Sequence, residues 1–122
     1  MQLKVLVVDD EDDVIEVVQD RLEAYGFSVT TARTGLEALQ RLSVERFDGV
    51  FLDIKMPEMD GIEALEQIRG QGLKIPVIIL TASSTNDLAL EAIAKGADDY
   101  VLKPFEWEEL KTKIERVYKV VL

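Results

Sequence analysis

The sequence predicts an α/β domain in which five strands and five helices form a doubly wound, parallel sheet. Short apolar runs alternate with amphipathic stretches along the whole chain. The runs are continuous and rich in β-branched residues, as in strands that are covered on both faces. The units follow one another without a linker or a low-complexity segment, so the 122 residues are expected to form one domain.

Each element has its own signal in the sequence. The strands are expected at residues 5–8, 28–32, 50–52, 77–80 and 100–102. Apolar residues at helical spacing mark the helices, and the stripes are Val14, Val17, Val18 and Leu22; Leu36, Leu39 and Leu42; Ile62, Leu65 and Ile68; Leu88, Ala92 and Ile93; and Leu110, Ile114, Val117 and Val121. Gly26 and Gly96 are expected to end the first and fourth helices, and Asp60 to cap the third.

The expected strand order is 2-1-3-4-5, in which the order reverses between strands 1 and 3. Right-handed crossovers then place helices on both faces of the sheet. Ligands of such sheets bind at the carboxyl ends of the strands, beside the reversal. The residues that follow the strands are therefore the candidates for function.

Composition excludes several function classes. The chain has 24 acidic and 14 basic residues, a net charge of −10, which would repel a nucleic-acid backbone. It has no cysteine and no histidine, which excludes disulfides, the usual zinc sites and Ser-His-Asp catalysis. The apolar run near the N-terminus is too short for a signal peptide or a membrane span, so a cytoplasmic protein without membrane contact is expected.

Polar side chains follow four of the expected strands. Asp9 and Asp10 follow the first strand, Asp53 the third, Thr81 the fourth and Lys103 the fifth. The carboxyl ends of parallel strands share one edge of the sheet. Three carboxylates, a hydroxyl and an ammonium group are therefore expected to converge there.

Each of these residues also has a structural alternative. The acids after strand 1 could cap the first helix, which is the role expected of Asp12 and Asp13. Asp53 could be a turn residue, and Thr81 could cap the fourth helix or hydrogen-bond within the loop. Lys103 could be a solvated charge or the partner of a nearby acid. Three converging carboxylates, however, repel one another unless a cation lies between them. That convergence favours a functional site.

Oxygen ligands without histidine or cysteine favour Mg²⁺, Mn²⁺ or Ca²⁺. Mg²⁺ typically uses one or two carboxylates and keeps positions for phosphate oxygens, so we expect Mg²⁺, with Mn²⁺ as a substitute. The Thr81 hydroxyl and the Lys103 ammonium suit the oxygens of a phosphoryl group. Asp53 follows the central strand, and a carboxylate can attack phosphorus to form an aspartyl-phosphate. Asp53 is therefore the candidate phosphoryl acceptor.

Four segments, residues 5–11, 53–61, 80–82 and 96–105, resemble the receiver domain of two-component response regulators. The resemblance covers essentially the whole chain, 1–122, and implies the flavodoxin-like fold. It also implies that Asp53 accepts the phosphoryl group. Asp10 and Asp53 would then bind Mg²⁺ directly, Asp9 through water, and Lys55 through its backbone carbonyl, which Pro57 would orient. Glu11 is expected to be a helix-start acid, with an outer-shell role at the metal as the alternative.

The resemblance implies a switch as well. Lys103 would contact the phosphoryl group and Thr81 would hydrogen-bond to it, and Tyr100 would rotate inward as Thr81 moves. We interpret Thr81 and Tyr100 as lying on adjacent strand ends. The Lys103–Pro104 peptide bond is a candidate cis bond, which an X-Pro sequence can adopt at low cost.

The resemblance implies partners too. A sensor histidine kinase or a phosphotransfer protein would donate the phosphoryl group. The surface of helix 4, strand 5 and helix 5 would then control an output domain or target protein, and a phosphorylation-dependent homodimer is a further expectation. The domain would promote its own phosphorylation and hydrolyse its own aspartyl-phosphate, with Lys55 and Ser83 beside the approaching water.

Three other interpretations of the site compete with this one. A phosphatase of the haloacid dehalogenase type needs Asp-x-Asp after strand 1, but Glu11 lies two residues after Asp9 and Lys55 two after Asp53. A flavodoxin-like cofactor binder needs backbone N–H groups for an anion after strand 1, where this chain has five consecutive acids. A receiver that serves only as a scaffold would not need every position of the pocket to be filled.

Overall fold

A computed structural model describes residues 2–56, 59–82 and 86–122 of the chain. The elements in chain order are β1 (Lys4–Val8), α1 (Asp12–Ala24), β2 (Ser28–Ala32), α2 (Gly35–Val44), β3 (Gly49–Leu52), α3 (Gly61–Gly70), β4 (Val77–Ala82), α4 (Asn86–Ala94), β5 (Asp99–Lys103) and α5 (Trp107–Tyr118). Strands and helices alternate throughout, as the sequence predicts.

The five strands form one parallel sheet in the order β2-β1-β3-β4-β5. This order confirms the prediction and places the reversal between β1 and β3. The carboxyl ends of β1 and β3 are level with each other, because Val8 pairs with Leu52. Residues that directly follow these two strands are therefore neighbours.

The sheet separates two hydrophobic cores, which explains why the strand sequences are apolar without alternation. Leu6 and Val8 belong to the core that includes residues of α2, α3 and α4. Val5 and Val7 belong to the core that includes residues of α1 and α5. All four side chains are at most 2% exposed. Burying a side chain of this size contributes about 1.5–3 kcal/mol, so β1 is a main source of stability.

Among the helices whose first residues and caps are described, two begin with side-chain caps. The Asp60 carboxylate accepts a hydrogen bond from the Glu63 N–H (2.8 Å), which confirms the predicted cap of α3. Thr34 caps α2 in the same way, through the Glu37 N–H (3.0 Å). No helix in the described ranges is long and apolar enough to cross a membrane.

Four apolar residues of the predicted helical stripes are exposed. Val17 is 54% exposed, Leu36 47%, Ile93 37% and Val121 94%. Val121 also lies beyond α5, because Lys119 adopts the left-handed conformation (φ 57°) and ends the helix after Tyr118. The prediction that Val121 belongs to the α5 stripe is therefore wrong.

Candidate functional site

The first part of the site is a pair of buried carboxylates at the reversal point of the sheet. Asp9 follows β1 and is 2% exposed, and Asp53 follows β3 and is 5% exposed. The Asp53 N–H donates to the carbonyl of Val8 (2.9 Å), which extends the pairing of the two strands by one residue. The sheet thus fixes the backbone of Asp53 beside that of Asp9.

Four carboxylates meet at this point. Asp9, Asp10, Glu11 and Asp53 each offer an oxygen, and these oxygens all lie within 4.8 Å of one another. Asp10 and Glu11 are exposed, so the cluster is open to solvent on one side. Carboxylate oxygens at this spacing suit a hard divalent cation such as Mg²⁺. Glu11, for which the sequence favours a helix-start role, is also the N-cap residue of α1 but makes no capping hydrogen bond through its side chain.

Lys103 supplies a positive charge inside the acidic cluster. Its ammonium group donates to Asp9 Oδ2 (2.7 Å) and lies 3.8 Å from Asp53 Oδ2. Its side chain is only 19% exposed, so Lys103 is not a solvated surface charge. The other alternative, that it is the partner of a nearby acid, agrees with its contact to Asp9. The peptide bond between Lys103 and Pro104 is cis.

Thr81 lies within β4, is fully buried and pairs with Leu102 of β5. Its side chain lies close enough to the Asp53 carboxylate to lower the pKa of that group. The alternative that Thr81 caps α4 is wrong, because β4 continues through Ala82 and α4 begins at Asn86. The hydroxyl therefore belongs to the acidic site.

The environment of Asp53 disfavours its charge. Burial raises the pKa of the Asp53 carboxyl above its ordinary value, and the negative charge of Asp9 raises it further. The Lys103 ammonium, the Thr81 side chain and the Ile54 N–H, which donates to Asp53 Oδ1 (2.8 Å), oppose this shift without cancelling it. A second cation placed at the cluster would stabilise the charged form.

Tyr100 is the second residue of β5 and is partly buried. It pairs with Ile79, two residues before Thr81, so it does not lie at the strand end beside Thr81 as the sequence suggested. Thr81 and Tyr100 nevertheless share a face of the sheet. Paired residues of neighbouring strands point to the same face, so Tyr100 points the same way as Ile79, and Thr81, two residues after Ile79 on β4, does so too. Lys113 donates to the Tyr100 carbonyl, and its ammonium lies 5.1 Å from the centre of the Tyr100 ring.

Two predicted contributors cannot be placed. Pro57 and Ser83 lie outside the described residues. Lys55 is described, and it is exposed on the loop after β3.

Residues 5–115 match the family model described as the response regulator receiver domain. The chain belongs to this family. Membership implies phosphorylation-dependent signalling. Receiver domains bind Mg²⁺ at an acidic pocket, and the four-carboxylate cluster of this receiver domain could hold such an ion. Receiver domains also interact with histidine kinases and output domains.

Similar proteins include two bacterial regulators. The chain is 38% identical over 119 residues to the alkaline phosphatase synthesis transcriptional regulatory protein PhoP of Bacillus subtilis, covering 98% of this chain and 50% of that protein. It is 43% identical over 110 residues to the transcriptional regulatory protein ZraR of Klebsiella oxytoca, covering 90% of this chain and 25% of that protein. The receiver domain thus spans half or a quarter of the length of these relatives.

Among solved structures, the response regulator TrrA of Thermotoga maritima, in complex with Mg²⁺–BeF, is 38% identical with a TM-score of 0.85. The match covers 96% of this chain and 99% of that one. The Francisella response regulator 1452 receiver domain is 36% identical with a TM-score of 0.88, over 97% and 98% of the two chains. Both likenesses agree with the observed fold.

Trp107, the single tryptophan, lies next to the site and was missed by sequence reasoning. Its ring packs edge-on against Phe105 (5.1 Å between centroids) and beneath the Arg21 guanidinium (4.7 Å). Trp107 and Lys103 line the same surface cleft of the receiver domain. Its fluorescence is therefore a natural reporter of changes at Lys103.

Proposed function

We propose that residues 1–122 act as one receiver domain that accepts a phosphoryl group on Asp53 and thereby controls an output partner. The observation that carries this proposal is the buried Asp53 carboxylate, which lies among other acids, 3.8 Å from the Lys103 ammonium and within hydrogen-bonding reach of Thr81. An oxygen nucleophile, a phosphate-binding cation and a hydroxyl donor are the groups that phosphoryl transfer requires.

In the transfer step, an Asp53 carboxylate oxygen attacks the phosphorus of a phosphohistidine. A new oxygen–phosphorus bond forms, the nitrogen–phosphorus bond breaks, and the leaving imidazole nitrogen retains the electron pair. Lys103 and Thr81 bind phosphoryl oxygens during and after transfer. The donor is a sensor histidine kinase or a histidine phosphotransfer protein. Water later attacks the same phosphorus beside Lys55. The bond between phosphorus and the Asp53 oxygen then breaks, which releases inorganic phosphate and restores the Asp53 carboxylate.

Asp9, Asp10 and Asp53, together with the backbone carbonyl of Lys55, would hold Mg²⁺. The ion would neutralise negative charge on the phosphoryl oxygens. All three side chains contribute to the cluster whose oxygens lie within 4.8 Å, which supports the assignment. Glu11 belongs to the same cluster and would bind through the ion's outer water shell.

The output surface would be formed by α4, β5 and α5. Phosphorylation adds about −1.5 to −2 charge and new acceptor oxygens, which attract Thr81 and vacate space for Tyr100. Leu90 and Ile93 on α4 are 50% and 37% exposed, and they could bind an output domain, a target protein or a second copy of the domain. Membrane and nucleic acid are not expected to bind this strongly acidic domain directly.

The acceptor assignment is tested by incubation with Mg²⁺ and acetyl phosphate, followed by intact-mass measurement. The wild type should gain one base-labile phosphoryl group, Asp53→Asn should gain none, and EDTA should abolish labelling. Asp60→Asn is the matched control, because it makes the same substitution at an exposed carboxylate that only caps α3. Equal labelling of the wild type and Asp53→Asn would refute the proposal.

The coupling of Thr81 to the output surface needs a separate experiment. Beryllofluoride and Mg²⁺ should shift the amide resonances of α4 and β5 in the wild type. Thr81→Ser keeps the hydroxyl and should retain these shifts, whereas Thr81→Ala should lose most of them. Full shifts in Thr81→Ala would show that α4 responds by another route.

A further inference from the structure

The first residue of α3 lies unusually close to the backbone of Asp53. Gly61 is buried, and its N–H donates to the carbonyl of Ile54 (2.7 Å). A Cβ atom placed on Gly61 would overlap the carbonyl oxygen of Asp53 and would lie 2.7 Å from Ile54 Cα and 2.9 Å from the carbonyl carbon of Asp53. All three are backbone atoms, which cannot rotate away as a flexible side chain can.

The peptide group that Gly61 contacts also orients the Asp53 carboxylate. It consists of the Asp53 carbonyl and the Ile54 N–H, and that N–H donates to Asp53 Oδ1 (2.8 Å). On the other side, the Asp53 N–H is held by the carbonyl of Val8 (2.9 Å). The acceptor residue is thus fixed between β1 and the start of α3. The Asp53–Ile54 peptide both contacts α3 and donates the hydrogen bond that orients the carboxylate.

Gly61 is not needed for an unusual backbone conformation. The glycines with positive φ are Gly26, Gly72 and Gly96, and Gly61 is not among them. The constraint at Gly61 is therefore steric: the neighbouring backbone leaves no space for a methyl group. Gly70 lies at the other end of the same helix. Apart from its chain neighbours and the backbone of its own helix, no heavy atom lies within 4 Å of the position that its Cβ atom would take, so Gly70 gives a matched comparison.

We propose that Gly61 is a positioning residue for the acceptor. Because Gly61 has no side chain, α3 packs directly against the Asp53–Ile54 peptide. This contact holds the Asp53 carboxylate in its orientation toward the metal and the phosphoryl group. The inference rests on the proposed function of Asp53. A methyl group at residue 61 would displace this peptide, and with it the N–H that fixes Oδ1. Loss of such an orienting contact typically weakens metal binding about 10–100-fold.

The test compares Gly61→Ala with Gly70→Ala and with Ile68→Val, a core substitution on the same helix that lowers stability by about 0.5–1.5 kcal/mol. Mg²⁺ affinity is measured by Trp107 fluorescence, well below the unfolding temperature of each variant. Gly61→Ala should bind Mg²⁺ about 10–100-fold more weakly and label more slowly with acetyl phosphate. Gly70→Ala and Ile68→Val should bind like the wild type, because a loss of stability alone does not change affinity in the folded protein.

A second measurement does not depend on metal or phosphate. In ¹H–¹⁵N spectra of the metal-free protein, the Ile54 amide should move in Gly61→Ala and stay in place in Gly70→Ala. An unmoved Ile54 amide, or wild-type Mg²⁺ affinity in Gly61→Ala, would overturn the role of Gly61. If the wild type itself bound no Mg²⁺ and took no phosphoryl group, the proposed function would fail, and the Ile54 amide would still decide whether Gly61 sets the acceptor backbone.

Gly61→Ala could also fail to fold. The same substitution is then made together with Gly70→Ala, which is expected to stabilise the domain, and Tyr118→Phe, which is expected not to destabilise it. Gly70→Ala replaces a helical glycine with open surroundings, which typically gains about 0.5–1 kcal/mol. Failure to fold in this background as well would overturn the inference that the displacement is confined to the acceptor peptide.

Discussion

Replacing Asp53 by asparagine should stabilise the metal-free domain, although Asp53 is the residue on which function depends. The carboxylate is 5% exposed and shares a cluster with three other acids. Burial raises its pKa, which means that its charged form is disfavoured in the folded protein. Asparagine keeps nearly the same shape and can still accept the Ile54 N–H, but it carries no charge.

The magnitude follows from the distances. At an effective dielectric constant of about 20, the Lys103 ammonium 3.8 Å away attracts the Asp53 charge by about 4.4 kcal/mol. A carboxylate 4.8 Å away repels it by about 3.5 kcal/mol, and Asp9, Asp10 and Glu11 all lie within that distance. Asp10 and Glu11 are exposed, so their repulsion is largely screened by solvent. Attraction and repulsion nearly cancel, and the burial cost remains.

We therefore expect Asp53→Asn to raise the free energy of unfolding by about 1–2 kcal/mol, or Tm by about 4 °C per kcal/mol in a domain of this size. The assay is urea and thermal denaturation in EDTA. Asp60→Asn, at an exposed cap where asparagine serves as well as aspartate, should stay within about 0.5 kcal/mol of the wild type.

Added Mg²⁺ should reverse the order. At a concentration about one hundred times its dissociation constant, a bound ion stabilises the wild type by about 2.7 kcal/mol, which is more than the advantage of the variant in EDTA. Asp53→Asn should gain much less, because it has lost one ligand charge. If Asp53→Asn were less stable than the wild type in EDTA, the Lys103 attraction would outweigh burial and repulsion, and the electrostatic reasoning would be refuted.

Three further outcomes follow from the same contacts. Lys103→Met should bind Mg²⁺ about tenfold more tightly in calorimetric titrations, because the ammonium that lies 2.7 Å from Asp9 no longer competes. Lys95→Met on the surface should leave the affinity unchanged. Asp99→Asn should lower stability at neutral pH by about 0.5–1 kcal/mol in urea denaturation. Burial opposes the shift, but hydrogen bonds and two basic partners hold the pKa of Asp99 below its ordinary value. Its contribution is thus present above that ordinary value and disappears as pH falls through the lower, folded-state pKa. Tyr118→Phe should leave the Tm unchanged or raise it, because the buried hydroxyl has no hydrogen-bond partner among the described residues.

For each of these three predictions, a specific result would contradict the reasoning. Weaker Mg²⁺ binding in Lys103→Met would mean that Lys103 organises the acids rather than competes for them. A deficit in Asp99→Asn that persisted at low pH would mean that packing, not charge, is responsible. A loss of more than about 1 kcal/mol in Tyr118→Phe would mean that the hydroxyl makes a hydrogen bond, for example to a buried water.

The strand ends of the site could be predicted from the sequence because parallel strands bring their carboxyl ends to one edge. Asp9 and Asp53 are neighbours for this reason, and the strand order placed them at the reversal. Their detailed contacts could not be predicted. Lys103 reaches Asp9 across 94 residues of sequence, and its choice of Asp9 over Asp53 as the closer partner depends on side-chain reach across the sheet edge.

Other features depend on tertiary packing that no local pattern encodes. The register of β5, which pairs Tyr100 with Ile79, depends on where that strand begins, and the prediction began it one residue late. The spacing of apolar residues does not show which of them lie at the edge of the buried face of a helix. Val17 was therefore predicted to be part of the buried face, although it is exposed. The contact of Gly61 with the Asp53 backbone becomes visible only when α3 is docked on the sheet.

The central claim, that Asp53 carries the phosphoryl group, is tested most directly by locating that group. After incubation with acetyl phosphate and Mg²⁺, borohydride reduces an aspartyl-phosphate to homoserine, and peptide mass spectrometry then identifies the reduced residue. Homoserine at residue 53, absent when EDTA or acetyl phosphate-free buffer is used, is the predicted result. Homoserine at Asp9 or Asp10 with Asp53 unmodified would contradict the assignment.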